Sequence, residues 1–213
     1  EGHVFQALDS ATSGVIEEGN VGGGTGMLCY EFKGGTGTSS RKLPEKLGGW
    51  TVGALVQANF GRRYQLTVAG VPLGQHFKDS APLTNGENPF RQDDGSLIVI
   101  IGTNAPLLPH QLKRVAKRAA IGMARTGSLG GNGSGDIFLA FSTANPQAAH
   151  GDAMGLSTIQ ALSNDHIDPI LSSTAYATEE AIINAMIAAE DMDGHQGVSI
   201  KALPHDGLVD VLR

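Results

Sequence analysis

Seven residues carry the clearest chemistry in this chain: Gly130-Gly131-Asn132-Gly133-Ser134-Gly135-Asp136, running directly into the apolar segment Ile-Phe-Leu-Ala-Phe-Ser. Glycine on both sides of Ser134 leaves its hydroxyl and its preceding peptide bond sterically bare. A nucleophile needs that access, and so does a peptide bond that is to break itself. The elbow of α/β-hydrolases is excluded, because G-x-S-x-G requires glycine where Asn132 and Asp136 stand. The seven histidines do not cluster, so nothing local favours a Ser-His-Asp triad. An N→O acyl shift needs no histidine. The hydroxyl attacks the carbonyl of Gly133, the ester hydrolyses, and Ser134 becomes a new N-terminus whose own amine, with a pKa of about 8, serves as base. The competing reading is a glycine-rich turn that only leads into a strand.

Other residues have weaker claims on chemistry. Asn104 stands just past an apolar run at 96–103, where a side-chain amide can donate to an oxyanion or serve as a turn residue. Glu179 and Glu180 open an apolar-striped helix. Glu179 falls near the centre of the stripe and Glu180 near its edge, with Thr178 before them as an N-cap. Two glycine loops, Gly19–Gly26 and Lys33–Arg41, lack the Lys-Ser/Thr that follows the glycines of a phosphate loop. Their backbone N–H groups can build an anion-binding concavity or simply pack closely.

The elements that must position these residues follow from periodicity. A short helix is expected over 2–12. Strands are expected over 50–58 and 63–69, joined as a hairpin at Asn59-Phe60-Gly61. A long surface loop spans 71–95. The continuous apolar run 96–103 predicts a strand covered on both faces. Pro109 opens a basic amphipathic helix to Arg125, with Val115, Ala119 and Met123 on one face. A strand at 137–143, a helix at 178–190 and a last helix after Pro204 complete the series. Buried strands with helices on their outer faces predict layered α and β structure in a single domain.

Composition bounds the function class. A net charge of −6 argues against nucleic acid as the main partner, and no apolar run reaches the length of a membrane span. The single cysteine, Cys29, allows no intrachain disulfide. No metal or cofactor is expected, because the histidines show no ligand spacing. The first residue is Glu1, so the numbering is expected to begin inside a longer protein. Any signal peptide would lie upstream, which leaves cytoplasm and periplasm both open.

Taken together, EGNVGGGTGM (18–27 with Glu18 first), FKGGTGTSSR (32–41), TNAPLLPHQL (103–112), ARTGS (124–128), NGSGD (132–136) and ATEEAIINAM (177–186) resemble the DmpA-type aminopeptidases. That family includes L-aminopeptidase/D-amidase/esterases and β-peptidyl aminopeptidases. The resemblance implies a four-layer α/β/β/α sandwich similar to the N-terminal-nucleophile hydrolases, with the family's N-terminal part absent before Glu1. It implies self-cleavage between Gly133 and Ser134 into segments 1–133 and 134–213 that stay together. Ser134 would be the nucleophile and Asn104 the oxyanion donor. Tyr30 would line the same centre, Thr178 and Glu180 would orient the serine and its amine, and Glu18 would anchor the substrate's free amino group. The implied substrates are small peptides, amides or esters of L-α, D-α or β-amino acids. The implied assembly is a homo-oligomer of processed pairs, tetrameric in some relatives. Acyltransferases and amide-oligomer hydrolases of related architecture use threonine, so Ser134 counts against them. A non-catalytic, unprocessed domain is the remaining alternative.

Overall fold

A computed structural model of the protein describes residues 2–77 and 95–213. Most of the predicted surface loop, residues 78–94, lies outside the described residues. In chain order the elements are α1 (Gly2–Asp9), β1 (Leu28–Cys29), β2 (Phe32–Lys33), β3 (Gly35–Lys42), β4 (Thr51–Asn59), β5 (Ser96–Thr103), α2 (Pro109–Arg125), β6 (Ile137–Ser142), α3 (Asp168–Ile187), β7 (Met192–Asp193), β8 (Ser199–Ile200) and α4 (His205–Leu212).

The frame is a four-stranded sheet in the order β3-β4-β5-β6. The first three strands pair antiparallel, and β6 joins β5 in parallel. A parallel neighbour requires a crossover, and α2 supplies it between β5 and β6. On the inner face, Val52, Ala54, Val56 and Ala58 alternate along β4, and Leu97, Val99 and Ile101 along β5. All are buried. Helices α2 and α3 close over that face with Val115, Ala119, Ile170, Ala181 and Ile182. Each such aliphatic side chain contributes about 1.5–3 kcal/mol on burial, so this layer contact is the core.

Three expectations are corrected. The segment KGGTGTSSR, read as a loop, forms most of β3. Its glycines serve close packing, since a Cβ at Gly37 would lie 2.0 Å from the Ala181 carbonyl oxygen of α3. There is no hairpin at Asn59-Phe60-Gly61. After β4 the chain makes a 3₁₀ turn at Arg63–Gln65, and β4 instead pairs with β3 and β5. The run 96–103 is a strand with those bounds, but it is covered on one face only. Ile98 and Ile100 are 40% and 36% exposed, and Ile137, Leu139 and Phe141 of β6 share the open side.

The fold class is mixed α and β, as predicted. The four-stranded sheet and the layer of α2 and α3 are two of the four layers of the expected sandwich, and among the described residues β1-β2 and β7-β8 pair as separate two-stranded sheets. The third helix, α3, also differs from its predicted bounds. It starts at Asp168-Pro169, ten residues before Thr178, because proline fits the first turn and the aspartate favours the N-terminus.

Candidate active site

Ser134 lies in the segment that leaves the C-terminus of α2 and enters β6. Gly127 is left-handed (φ 103°), and a Cβ there would sit 1.8 Å from the Gln65 carbonyl oxygen, so glycine is required where the chain turns. The Ser134 N–H donates to the Gly131 carbonyl at 3.0 Å, closing a tight turn over the bond between Gly133 and Ser134. The register of β6 on β5 begins at Ile137 opposite Ile98. The residues just before that pair are pinned by side chains. The Gly135 N–H donates to Ser96 Oγ at 2.9 Å, and the Leu97 N–H donates to Asp136 Oδ1 at 2.7 Å. The same Asp136 oxygen accepts the Ser134 hydroxyl at 2.7 Å. A half-buried serine thus points its proton at a carboxylate that is itself fastened to the sheet. A hydroxyl so bonded is oriented and made more nucleophilic as its proton shifts toward the acceptor.

Tyr30 supports this end of the molecule from below. It is fully buried with a left-handed backbone (φ 52°), and its N–H donates to the Phe60 carbonyl just past β4. Its hydroxyl and that of Thr126 lie 2.7 Å apart, and Thr126 caps α2 where the serine segment departs. Beside it, burial raises the Cys29 thiol above its usual range. Lys33 is also buried, and its ammonium donates to the carbonyls of Gly24, Met27 and Gly34. Desolvation pushes its pKa down to about 8.

The remaining predicted site residues stand elsewhere. Glu18 Oε1 accepts the Thr38 N–H and Thr38 Oγ1, both at 2.6 Å. Glu180 accepts Ser39 Oγ at 2.7 Å and pairs with Arg41, and these bonds hold its carboxyl below the usual carboxylate range, the Ser39 bond foremost. Both acids are therefore fastened to β3, the opposite edge of the sheet from β6. Three strand spacings separate those edges, about 14 Å. A groove of about 630 Å³ on the open face carries Glu18, Thr38 and Asn184 at its β3 side and Phe141 toward β6.

Asn104 follows β5, eight residues beyond Ser96, so roughly 26 Å of extended strand lies between it and the serine turn. Its Oδ1 accepts the Thr51 N–H at 2.7 Å. Thr178 is not an N-cap. It is buried in mid-helix, its Oγ1 donates to the Thr174 carbonyl, and it packs where Gly122 lets α2 approach α3. Glu179, the other acid considered, pairs with Arg125 of α2. The five predicted residues other than Ser134 therefore do not all gather at the serine turn within this chain. Tyr30 shares its end of the sheet, whereas Glu18, Glu180 and Asn104 do not.

Among the described residues no group of three His, Cys, Asp or Glu side chains is placed to hold a metal ion. The family model described as Peptidase family S58 matches residues 1–200. The chain belongs to peptidase family S58. Its S58 relatives include Beta-peptidyl aminopeptidase BapA of Sphingosinicella microcystinivorans, 48% identical over 99% of this chain and 55% of that protein. The BapA of Sphingosinicella xenopeptidilytica is 43% identical over 99% of this chain and 54% of that protein. Among solved structures, a Burkholderia sp. beta-aminopeptidase superposes with a TM-score of 0.86 at 47% identity, covering all of this chain and 58% of that one. The L-aminopeptidase D-Ala-esterase/amidase of Ochrobactrum anthropi, described as a variant of the Ntn hydrolase fold, gives 0.85 at 47% identity over all of this chain and 56% of that one. The chain spans little more than half the length of these relatives.

Two residues of the S58 serine turn escaped the sequence reading. Asp136 follows the serine at i+2, a spacing that lets a short carboxylate reach back to the hydroxyl, and that signal was available. Ser96 carries no local signal. It meets the turn only because β6 pairs in parallel with β5.

Proposed function

We propose that this chain carries the nucleophile of a self-processing serine aminopeptidase that releases N-terminal residues from short peptides, amides or esters. The observation that carries the proposal is the Ser134 hydroxyl, bonded to Asp136 in a glycine turn at the mouth of β6. Breakage between Gly133 and Ser134 divides the chain into segments 1–133 and 134–213 and frees the serine amine. In turnover the Ser134 oxygen attacks the substrate carbonyl, and the new α-amine takes the hydroxyl proton and passes it to the leaving amine. Water then releases the acyl group, with the proton returning to Ser134. Membership of family S58 and the aminopeptidase activities named for its relatives support this reading.

The geometry narrows the roles. A substrate amine held at Glu18 would be about 14 Å across the sheet from Ser134, too far for removal of one residue.

Turnover of β-alanyl and L-alanyl p-nitroanilides by the complete protein, with and without Ser134→Ala, is the test. The proposal expects loss of at least about 10³-fold in kcat/KM on removing the nucleophile, with no labelling of the variant by a serine-directed phosphonate. Turnover of Ser134→Ala within tenfold of the unaltered protein would exclude it.

A further inference from the structure

We propose that Arg63 is a positioning residue for the serine site: its buried guanidinium locks the turn that carries Tyr30, and through Tyr30 the end of α2 from which the serine segment departs. The inference rests on the reading above that Ser134 is the nucleophile. The turn needs a lock. Strands β1 and β2 pair Cys29 with Phe32, which leaves Tyr30 and Glu31 as a two-residue loop. Both are left-handed, with φ 52° and 61°. A hairpin turn of that kind is usually Asn-Gly, and residues with side chains keep it only where the surroundings enforce it. Arg63 Nη2 donates to the Glu31 carbonyl, and Arg62 Nη1 pairs with Glu31 Oε1 at 3.3 Å. The Arg63 guanidinium also lies over the Phe32 ring, 3.9 Å from its centre. Two neighbouring arginines thus hold the second turn residue and the residue after it.

A guanidinium at this position costs stability. Arg63 is 5% exposed, and among the described residues its Nε and Nη1 have no hydrogen-bond partner. Burial also lowers its pKa, against the pull of the Glu31 carboxylate. An aliphatic side chain would fill the same space without stranding two donors. What arginine adds is the bond to the Glu31 carbonyl.

The effect reaches the serine segment through Tyr30. The Tyr30 ring stands edge-on to Phe60, with centres 5.2 Å apart, and beside Gly61, where a Cβ would lie 2.5 Å from the ring. Thr126 gives its hydroxyl proton to the Met123 carbonyl, so Tyr30 is the donor in the 2.7 Å bond between the two hydroxyls. That bond ties the turn to the C-terminal cap of α2. The backbone after Arg63 rests on the same end, with the Thr67 N–H on the Thr126 carbonyl at 2.9 Å and the Gln65 carbonyl against Gly127. Truncating the Arg63 side chain leaves those backbone contacts in place and releases the Tyr30 turn.

The test measures kcat and KM for β-alanyl p-nitroanilide in the complete protein, per serine labelled by the phosphonate. The variants are Arg63→Met, Tyr30→Phe, the two combined, and Arg63→Met combined with Glu31→Gly. Arg63→Met should lower kcat at least about tenfold and leave KM within about threefold. Because Arg63 acts through the Tyr30 hydroxyl, adding Arg63→Met to Tyr30→Phe should lower kcat less than about threefold further. Glycine accepts the left-handed turn without a lock, so Glu31→Gly should raise kcat of Arg63→Met at least about threefold, or restore folded, active protein if Arg63→Met alone does not fold. Turnover of Arg63→Met within about threefold of the unaltered protein, losses that multiply in the Tyr30→Phe combination, or no recovery with Glu31→Gly overturns the proposal. Turnover of Ser134→Ala within about tenfold of the unaltered protein, per mole of protein, would instead overturn the serine reading beneath it.

Discussion

Single residues here are held by few but specific bonds, and their loss has calculable signs. Glu180 titrates below the usual carboxylate range because Ser39 and Arg41 favour its charged form. Its contribution to stability is therefore present above the unfolded value near 4.5 and disappears as pH falls through the lower folded value. Glu180→Gln should lower the thermal midpoint most at neutral pH, and the difference from the unaltered protein should close as pH falls through the lowered folded value, as followed by circular dichroism. Lys33 is a different case, a buried ammonium satisfied by three carbonyls. Lys33→Met keeps the stem but loses all three bonds, although the Gly24 and Met27 carbonyls keep the N–H groups of Met27 and Gly34, and is expected to cost about 1–3 kcal/mol in urea denaturation. A change under 0.5 kcal/mol would mean that the carbonyls find other partners. The serine turn was legible at this scale because glycine has a distinctive signature. Tyr30 and Lys33 were harder to place, because burial of a polar side chain depends on what folds over it and not on its neighbours in sequence.

At the scale of elements, glycine sets how closely layers approach. Strand β3 lies against α3 through Gly37, and α2 meets α3 through Gly122, where an added Cβ would fall 2.5 Å from the Ala175 carbonyl oxygen. Gly37→Ala should destabilise by about 3 kcal/mol, because the obstructing atom is helix backbone and cannot rotate away. A urea midpoint unchanged within error would show that the two layers can separate freely. The same feature explains why β3 was read as a loop: the three glycines of KGGTGTSSR are weak strand formers locally, and tertiary packing overrides them. Strand β5 and helix α2 were read with their observed bounds, one from an unbroken aliphatic run and the other from a proline start and a clear apolar stripe. The predicted hairpin failed because β4 finds its partners in β3 and in β5, the latter nearly forty residues downstream, and no local turn signal reports such a pairing.

At the scale of the whole molecule, the open sheet face governs behaviour. Ile137, Leu139 and Phe141 are 58%, 53% and 45% exposed, and with Ile98 and Ile100 they form an apolar surface on one side of the sheet. Such a surface binds apolar dyes and promotes association. The 213-residue chain by itself should enhance anilinonaphthalene sulfonate fluorescence, and Leu139→Lys should reduce that signal at least twofold. Equal fluorescence in both would place the dye elsewhere. The expected layering was legible from the alternation of strands and helices, and membership of family S58 bears out that fold class. The joint position of the site residues was not legible, because which sheet edge a motif occupies depends on strand order, and β3 and β6 fall at opposite edges. The central claim is that Ser134 breaks the bond before it. N-terminal sequencing of the bands on a denaturing gel tests this most directly. The account predicts a new terminus reading Ser-Gly-Asp-Ile-Phe in the unaltered protein and none in Ser134→Ala, whereas an intact chain after prolonged incubation, or the same break in Ser134→Ala, would contradict it.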